Sequence, residues 1–390
     1  MAESRRIVLL GAMAEMPVAG VAWQVLHYLE GLKRLGHEVV YVEDTGSWPY
    51  DPDLETVTDD ARGATRRLAG LLDPCVGPEG WAFVNAARPD EVAGMGAGRL
   101  RTALRDAEIL VNLSAVTVLR DAYLEVPVRI YLETDPVTPQ LEIAEGRSLT
   151  VDLLAAHTHH FTFGERIGHA GCEVPTGPFT YRATRQPIVL DWWAAPLLRP
   201  DAPVRFTTVA SYRQPAKDVT WRGERYGWSK SDELAKLDDV PARAPAAMEL
   251  ALAVDDLCAV DALRRRGWHV VPAAPLSRDP RAYRDYIHGS HAEFSVAKDQ
   301  NVRLRSGWFS DRTASYLASG RPAVVQDTGF DAVLPTGAGL LSFRTPEEAL
   351  AAVHEVVSDL PRHARAARVI AEEHFRAEDV LARLLAEAGA

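Results

Sequence analysis

Apolar and polar positions along this chain follow two periods in turn. Ile7 to Leu10 is a short continuous apolar run, the pattern of a strand buried on both faces. A small-residue loop, Gly11 to Gly20, follows and contains Pro17. Val21, Val25, Tyr28, Leu29, Leu32 and Leu35 then recur at three- and four-residue steps and make one apolar helix face. Gly36 is placed to end that helix as its C′ residue, and Glu38 to Glu43 predicts a second strand. This order implies a parallel sheet with a right-handed crossover. Strands are predicted at Ile109 to Leu113, Val128 to Glu133 and His160 to Phe163. Helices are predicted over Asp59 to Leu72, Pro89 to Arg105 and Thr150 to His157, so this half reads as one doubly wound α/β domain.

Pro187 to Pro203 is rich in proline, carries Trp192 and Trp193, and reads as an interdomain linker. A second alternation starts at Arg205 to Ala210. It continues with helices near Ala246 to Arg265 and Arg281 to Ile287 and strands at His269 to Pro272 and Glu293 to Ala297. A helix from Asp311 to Ser319 and strands at Ala323 to Gln326 and Gly339 to Phe343 complete it. Thr345 precedes a proline and stands three residues before Glu348, a capped start for a helix through Val357. From Pro361 onward the pattern is one charge-rich amphipathic helix with a break near Phe375. The domains expected are 1–195, 196–360 and a terminal helix, 361–390, that returns to the first domain.

The 390 residues suffice for two or three domains, each with its own core. A formal charge of −11 argues against a nucleic-acid polymer as partner. Cys75, Cys172 and Cys258 lie far apart and form no C-x-x-C pair, which argues for a reducing compartment and against structural zinc. Arg5-Arg6 followed by IVLLGAMA looks like a leader, yet Glu15 follows at once and a helix pattern comes next. No apolar segment approaches the roughly 20 residues that span a bilayer. These features predict a cytoplasmic protein that engages no membrane, and they leave a homodimer open.

The most informative stretch is Arg305 to Leu334. Gly307, Trp308 and Phe309 form a Gly-aromatic turn into a helix whose first turn carries Ser310, Asp311, Arg312 and Thr313. Free N–H groups at a helix start, with hydroxyls and a guanidinium, suit phosphate oxygens; an ordinary capped helix has the same residues. Asp311 is the awkward member beside phosphate and is better suited to capping the helix or bonding a ribose.

The order of Gly-aromatic turn, helix, Ala318-Ser319-Gly320-Arg321-Pro322, short strand and polar loop Gln326 to Phe330 resembles the donor half of GT-B glycosyltransferases. The Thr345 to Ala352 helix start and the Gly36 to Val39 ending of the first helix are similar to that family as well. The resemblance implies two Rossmann-like domains facing across a cleft, the acceptor on the first and a nucleotide sugar, by default UDP-glucose, on the second. It implies donor-binding roles for Arg213, Lys217, Ser310, Asp311, Arg312, Thr313, Asp327, Thr328 and Gly329, with Asp327 taking the sugar hydroxyls. Lys298, after a predicted strand, is placed to face the diphosphate; a solvent-facing lysine is the alternative. The chain departs from the family at Ser315, where members carry a ribose-binding Glu. It also lacks the E-x7-E pattern and has no His between Gly11 and Gly20.

Hydroxyl transfer with inversion needs a base, and working groups in open α/β sheets lie beyond strand carboxyl ends. Asp135 and Glu15 satisfy that; Pro136 keeps Asp135 on an extended loop, and Asp135 stands ahead because the strand before it is long and buried and holds its end rigidly. Asp59-Asp60, Asp238-Asp239 and Asp255-Asp256 lack the strand-end setting of a metal site, and His157, His159 and His160 read as packing. Neither metal nor resident cofactor is expected. The function expected is hexose transfer to a small-molecule acceptor such as a natural product or nucleoside. The alternatives are a nucleotide-sugar epimerase of the same fold and a non-catalytic two-domain binding protein.

Overall fold

The computed structural model describes residues 4–196 and 203–389; residues 197–202, in the middle of the expected linker, lie outside the described residues. Two sheets organise the chain. The first contains β1 (Arg6–Leu10), β2 (Glu38–Glu43), β3 (Trp81–Val84), β4 (Val92–Gly94), β5 (Ile109–Leu113), β6 (Val128–Glu133), β7 (His159–Thr162) and β8 (Tyr181–Ala183). Their spatial order is β8-β7-β6-β5-β1-β2-β3-β4, parallel throughout except for the antiparallel edge strand β4. The second sheet contains β9 (Arg205–Ser211), β10 (Ala247–Ala253), β11 (His269–Pro272), β12 (Ala292–Ser295), β13 (Ala323–Gln326) and β14 (Leu340–Phe343). It is wholly parallel in the order β11-β10-β9-β12-β13-β14. Both are doubly wound, so both have a switch point where loops part at the strand ends.

The apolar runs form the strands they predict because β1 and β5 are buried along nearly their whole length. The first helix, Ala19–Arg34, ends with Gly36 at φ 90°, the left-handed C′ conformation. Thr345 accepts from the Glu348 N–H and opens the helix Pro346–Ser358.

Two expected helices are corrected. Residues 89–105 are not continuous helix: β4 comes first, and the helix is only Gly96–Asp106. Gly94 and Gly96 both sit at φ 77°, and a Cβ on Gly94 would lie 2.2 Å from the Trp81 carbonyl oxygen. Residues 246–265 begin with strand β10, and the helix is only Leu257–Arg265, capped by Asp256. The sequence AMELALA favours helix locally, but its slot between β9 and β11 buries both faces, and tertiary packing overrides propensity. Within that slot buried Glu249 receives Arg205, His269 and Tyr286.

The tail forms two helices, Leu360–His374 and Ala377–Glu387, separated at Phe375 and Arg376. Ala377, Leu381, Leu384 and Leu385 join the core beneath the first sheet. A separate core lies between the domains. Trp23 and Leu26 of the first helix meet Trp193, Tyr283, Ile287, Phe309, Leu317 and Phe375 there, and Trp23 Nε1 donates to the Pro280 carbonyl at 2.9 Å. The domain joint is therefore apolar, and the polar groups collect at the strand ends above it.

Candidate functional site

A cleft of about 1060 Å³ opens between the carboxyl ends of the two sheets. Its first-domain wall comes from the segments after β1, β2, β5 and β6. Met16, Pro17, Val18, Tyr50 and Pro52 make one apolar end, while Ser114, Glu133, Thr134 and Asp135 make the polar floor. The second-domain wall carries Lys217, Lys230, Lys298, Ser310, Asp311 and Arg312.

The loop after β1 is held from below. Buried Glu43 accepts from the Ala14 N–H through both oxygens, from the Glu15 N–H and from Tyr41 Oη, all at 2.8–2.9 Å. Burial pushes its carboxyl up to about 7. The loop after β6 is held in the same way: Glu133 accepts from Tyr131, Gln140 and Thr162, and burial pushes it up to about 7. Asp135 lies two residues further, and its Oδ2 is ion-paired with Lys298 across the cleft. The Lys298 ammonium stands 3.2 Å from the centre of the Trp228 ring, and burial lowers its pKa to about 8. Trp308 closes the same corner by donating Nε1 to the Thr134 carbonyl at 3.0 Å.

The helix Asp311–Ala318 points its start into the cleft, with Ser310 as N-cap but without a side-chain capping bond. Asp311 does not cap it either. Its carboxylate accepts from Gln24 of the first domain at 3.3–3.4 Å, and burial pushes it up to about 7. Arg312 lines the wall, yet its donors are committed to Glu293 Oε1, the Val209 carbonyl and Ser295 Oγ at 2.6–2.7 Å. It braces the sheet end instead of reaching freely toward a ligand.

Five expected donor contacts lie away from this cleft. Arg213 is exposed on the outside, 4.0 Å from Asp256. Thr313 and Thr328 face a separate 20 Å³ cavity behind the Gly-aromatic turn, where Thr328 donates to the Trp308 carbonyl. Asp327 is fully buried and holds Arg344 at 2.7 Å, Arg305 at 3.2 Å and the Gly329 N–H at 2.7 Å. It ties loops together and does not face the cleft, and Gly329 goes with it. Two arginines within reach satisfy this carboxylate before any sugar hydroxyl does. Glu15 does not line the cleft, so of the two expected bases only Asp135 does.

Lys230 follows Trp221, Tyr226 and Trp228 in a loop that carries no sequence motif of its own. It is buried, forms no ion pair among the described residues, and faces the cleft; burial and the neighbouring Arg312 and Lys298 hold its pKa well below the usual lysine range. His157 and His160 bond the Leu153 and Leu154 carbonyls. Among the described residues no group of three or more His, Cys, Asp or Glu could hold a metal ion. No helix among them is long and apolar enough to cross a membrane.

No protein-family model matches the chain, and no curated protein matches it. Solved structures do. AviGT4, a glycosyltransferase involved in avilamycin A biosynthesis, is 14% identical with a TM-score of 0.53 over 98% of this chain and 97% of that one. HepE of Anabaena, in complex with UDP and glucose, is 11% identical with a TM-score of 0.57 over 98% and 99%. An alpha-glucosyltransferase in complex with UDP and a 13-mer DNA is 12% identical with a TM-score of 0.55 over 99% and 100%. The chain has the GT-B fold. Likeness at this identity establishes the architecture and leaves the chemistry to the cleft. In this GT-B chain the cleft has a cationic second-domain wall and an acidic first-domain floor.

Proposed function

We propose that this GT-B chain transfers a sugar, a hexose from UDP-glucose in the first instance, to a hydroxyl of a small-molecule acceptor. The observation that carries the reading is the convergence of Lys217, Lys230 and Lys298 on one wall of the interdomain cleft, opposite Asp135. Departure of a nucleoside diphosphate develops negative charge on its phosphate oxygens, and preorganised cations stabilise it without a metal. The start of the helix at Ser310 adds free N–H groups on the same wall. Solved structures of this fold with UDP or UDP and glucose bound support the nucleotide choice.

The acceptor belongs on the first-domain side, against Met16, Pro17, Val18 and Tyr50, with its hydroxyl toward Asp135. The chain's formal charge of −11 favours a small acceptor over a nucleic-acid polymer. Melting curves with UDP, GDP and dTDP test the reading. At least one nucleotide raises the melting temperature, and UDP-glucose with an acceptor library releases UDP. A flat response to all three nucleotides removes the donor site. UDP-sugar conversion without any acceptor identifies an epimerase, and binding without turnover identifies a binding protein.

A further inference from the structure

Asp135 and Lys298 stand 163 residues apart, on opposite domains, yet their side chains join across the cleft. The pair is unequal. The Lys298 side chain is 10% exposed, and its ammonium is held between the Trp228 and Trp308 rings. Asp135 places only Oδ2 on the ammonium; its Oδ1 is buried without a hydrogen-bond partner among the described residues. A buried carboxylate oxygen left in that state is costly, and Lys298 is the one side-chain partner of this carboxylate among the described residues. Lys217 and Lys230 line the same wall, and Lys217 stands 5.1 Å from the Trp228 ring. Asp311 is occupied by Gln24, Glu133 by Tyr131, Gln140 and Thr162, and Arg312 by Glu293. Among the described residues Asp135 is the carboxylate ion-paired with a lysine of this wall.

We propose that Asp135 stands in for a phosphate oxygen. A nucleoside diphosphate entering the cleft takes Lys298 by anion exchange, and the freed carboxylate becomes the base for the acceptor. This rests on the donor reading above and adds an order to it. While paired with Lys298, the Oδ2 that would take the hydroxyl proton is occupied; separated from it, that oxygen is free to accept. Asp135 then takes the hydroxyl proton as the acceptor oxygen bonds the anomeric carbon. The bond from that carbon to the diphosphate oxygen breaks, its electron pair leaving with the nucleoside diphosphate, which Lys298 and Lys230 face. Donor binding thereby switches on the base, and an acceptor that arrives first meets a carboxylate already engaged.

Calorimetric titration of the full chain tests this, with whichever of UDP, GDP and dTDP stabilises the wild type as the probe. Asp135→Asn and Asp135→Ala remove the competing carboxylate, and each is expected to bind that nucleotide about fivefold tighter or more while kcat falls at saturating donor. Lys298→Met binds it more weakly, and adding Asp135→Asn to Lys298→Met changes nothing further. Melting curves confirm that each variant is folded, and the two Asp135 substitutions guard against a defect peculiar to one. Unchanged or weaker nucleotide binding in both folded Asp135 variants overturns the exchange. A wild type that binds none of the three nucleotides instead overturns the donor reading, a separate outcome.

Discussion

Arg312 Nε donates to Glu293 Oε1 at 2.6 Å, and the two side chains are only 10% and 0% exposed. A helix start and the strand β12 are thereby joined by a buried ion pair beneath the candidate donor wall. Glu293 Oε2 has no hydrogen-bond partner, so the guanidinium is the main compensation for that buried charge. Arg312→Ala is expected to cost about 3–5 kcal/mol of stability, because it leaves a buried carboxylate unpaired. Urea denaturation measures it. A variant as stable as the wild type but weak in nucleotide binding returns Arg312 to a ligand-contacting role.

Lys230 gives the opposite expectation. Its amine is buried and forms no ion pair among the described residues, so Lys230→Met removes a desolvation penalty and leaves stability unchanged or raised. Nucleotide affinity falls about tenfold if the ammonium makes one charge-assisted bond to phosphate. Melting and titration of the same sample separate the two effects. Loss of stability without loss of binding contradicts the assignment.

Three buried carboxyls shape the pH response. Glu43, Glu133 and Asp311 are each raised to about 7 by burial, against 4.5 for Glu and 3.8 for Asp in the unfolded chain. Between those values the folded state binds more protons than the unfolded state. Their contribution to stability is complete below the unfolded values and is lost as pH rises through 7. Buried His27 and His157, lowered to about 3 and about 4, act the other way, so the expected readout is a difference: the urea midpoint of the wild type falls relative to that of Glu133→Gln from about pH 5 to pH 8. Glu133→Gln, which keeps an acceptor for Tyr131 and Gln140, flattens the slope; an unchanged slope shows that Glu133 does not titrate in this range.

The terminal helix is expected to be part of the first domain's stability. Leu381 is 1% exposed, and a Cβ on Gly31 would lie 2.5 Å from its Cδ1 and 3.0 Å from Ala377 Cβ. Leu381→Ala should cost about 2–5 kcal/mol and Gly31→Ala about 1–3 kcal/mol. The double variant should cost less than the sum, because the smaller side chain makes room for the added methyl. Denaturant titration of all three checks this. Additive losses show that Gly31 and Leu381 do not share one gap.

Most elements were legible because their signals are local. β2, β5, β6, β11 and β13 occupy the residues that their apolar runs predict. The two misread stretches, 89–105 and 246–265, lacked such a signal. In one, glycines at positive φ interrupt a helical composition; in the other, helix-favouring residues fill a central strand. The Gly-aromatic turn and the helix at Ser310 were correctly placed, but the partners of their polar residues were not.

That division has one physical cause. By itself the sequence determined most of the order of strands and helices, the capped helix at Thr345 and the two-domain α/β architecture, because periodicity, caps and glycine conformations act within a few residues. Only the tertiary structure decided that Arg312 meets Glu293, that Asp327 meets Arg344 and Arg305, that Asp135 meets Lys298, and that Lys230 is buried on the cleft wall. A charged side chain takes its role from whichever groups share its desolvated surroundings. Here those groups come from strands far apart in sequence, brought together by the order of two parallel sheets and the cleft between them.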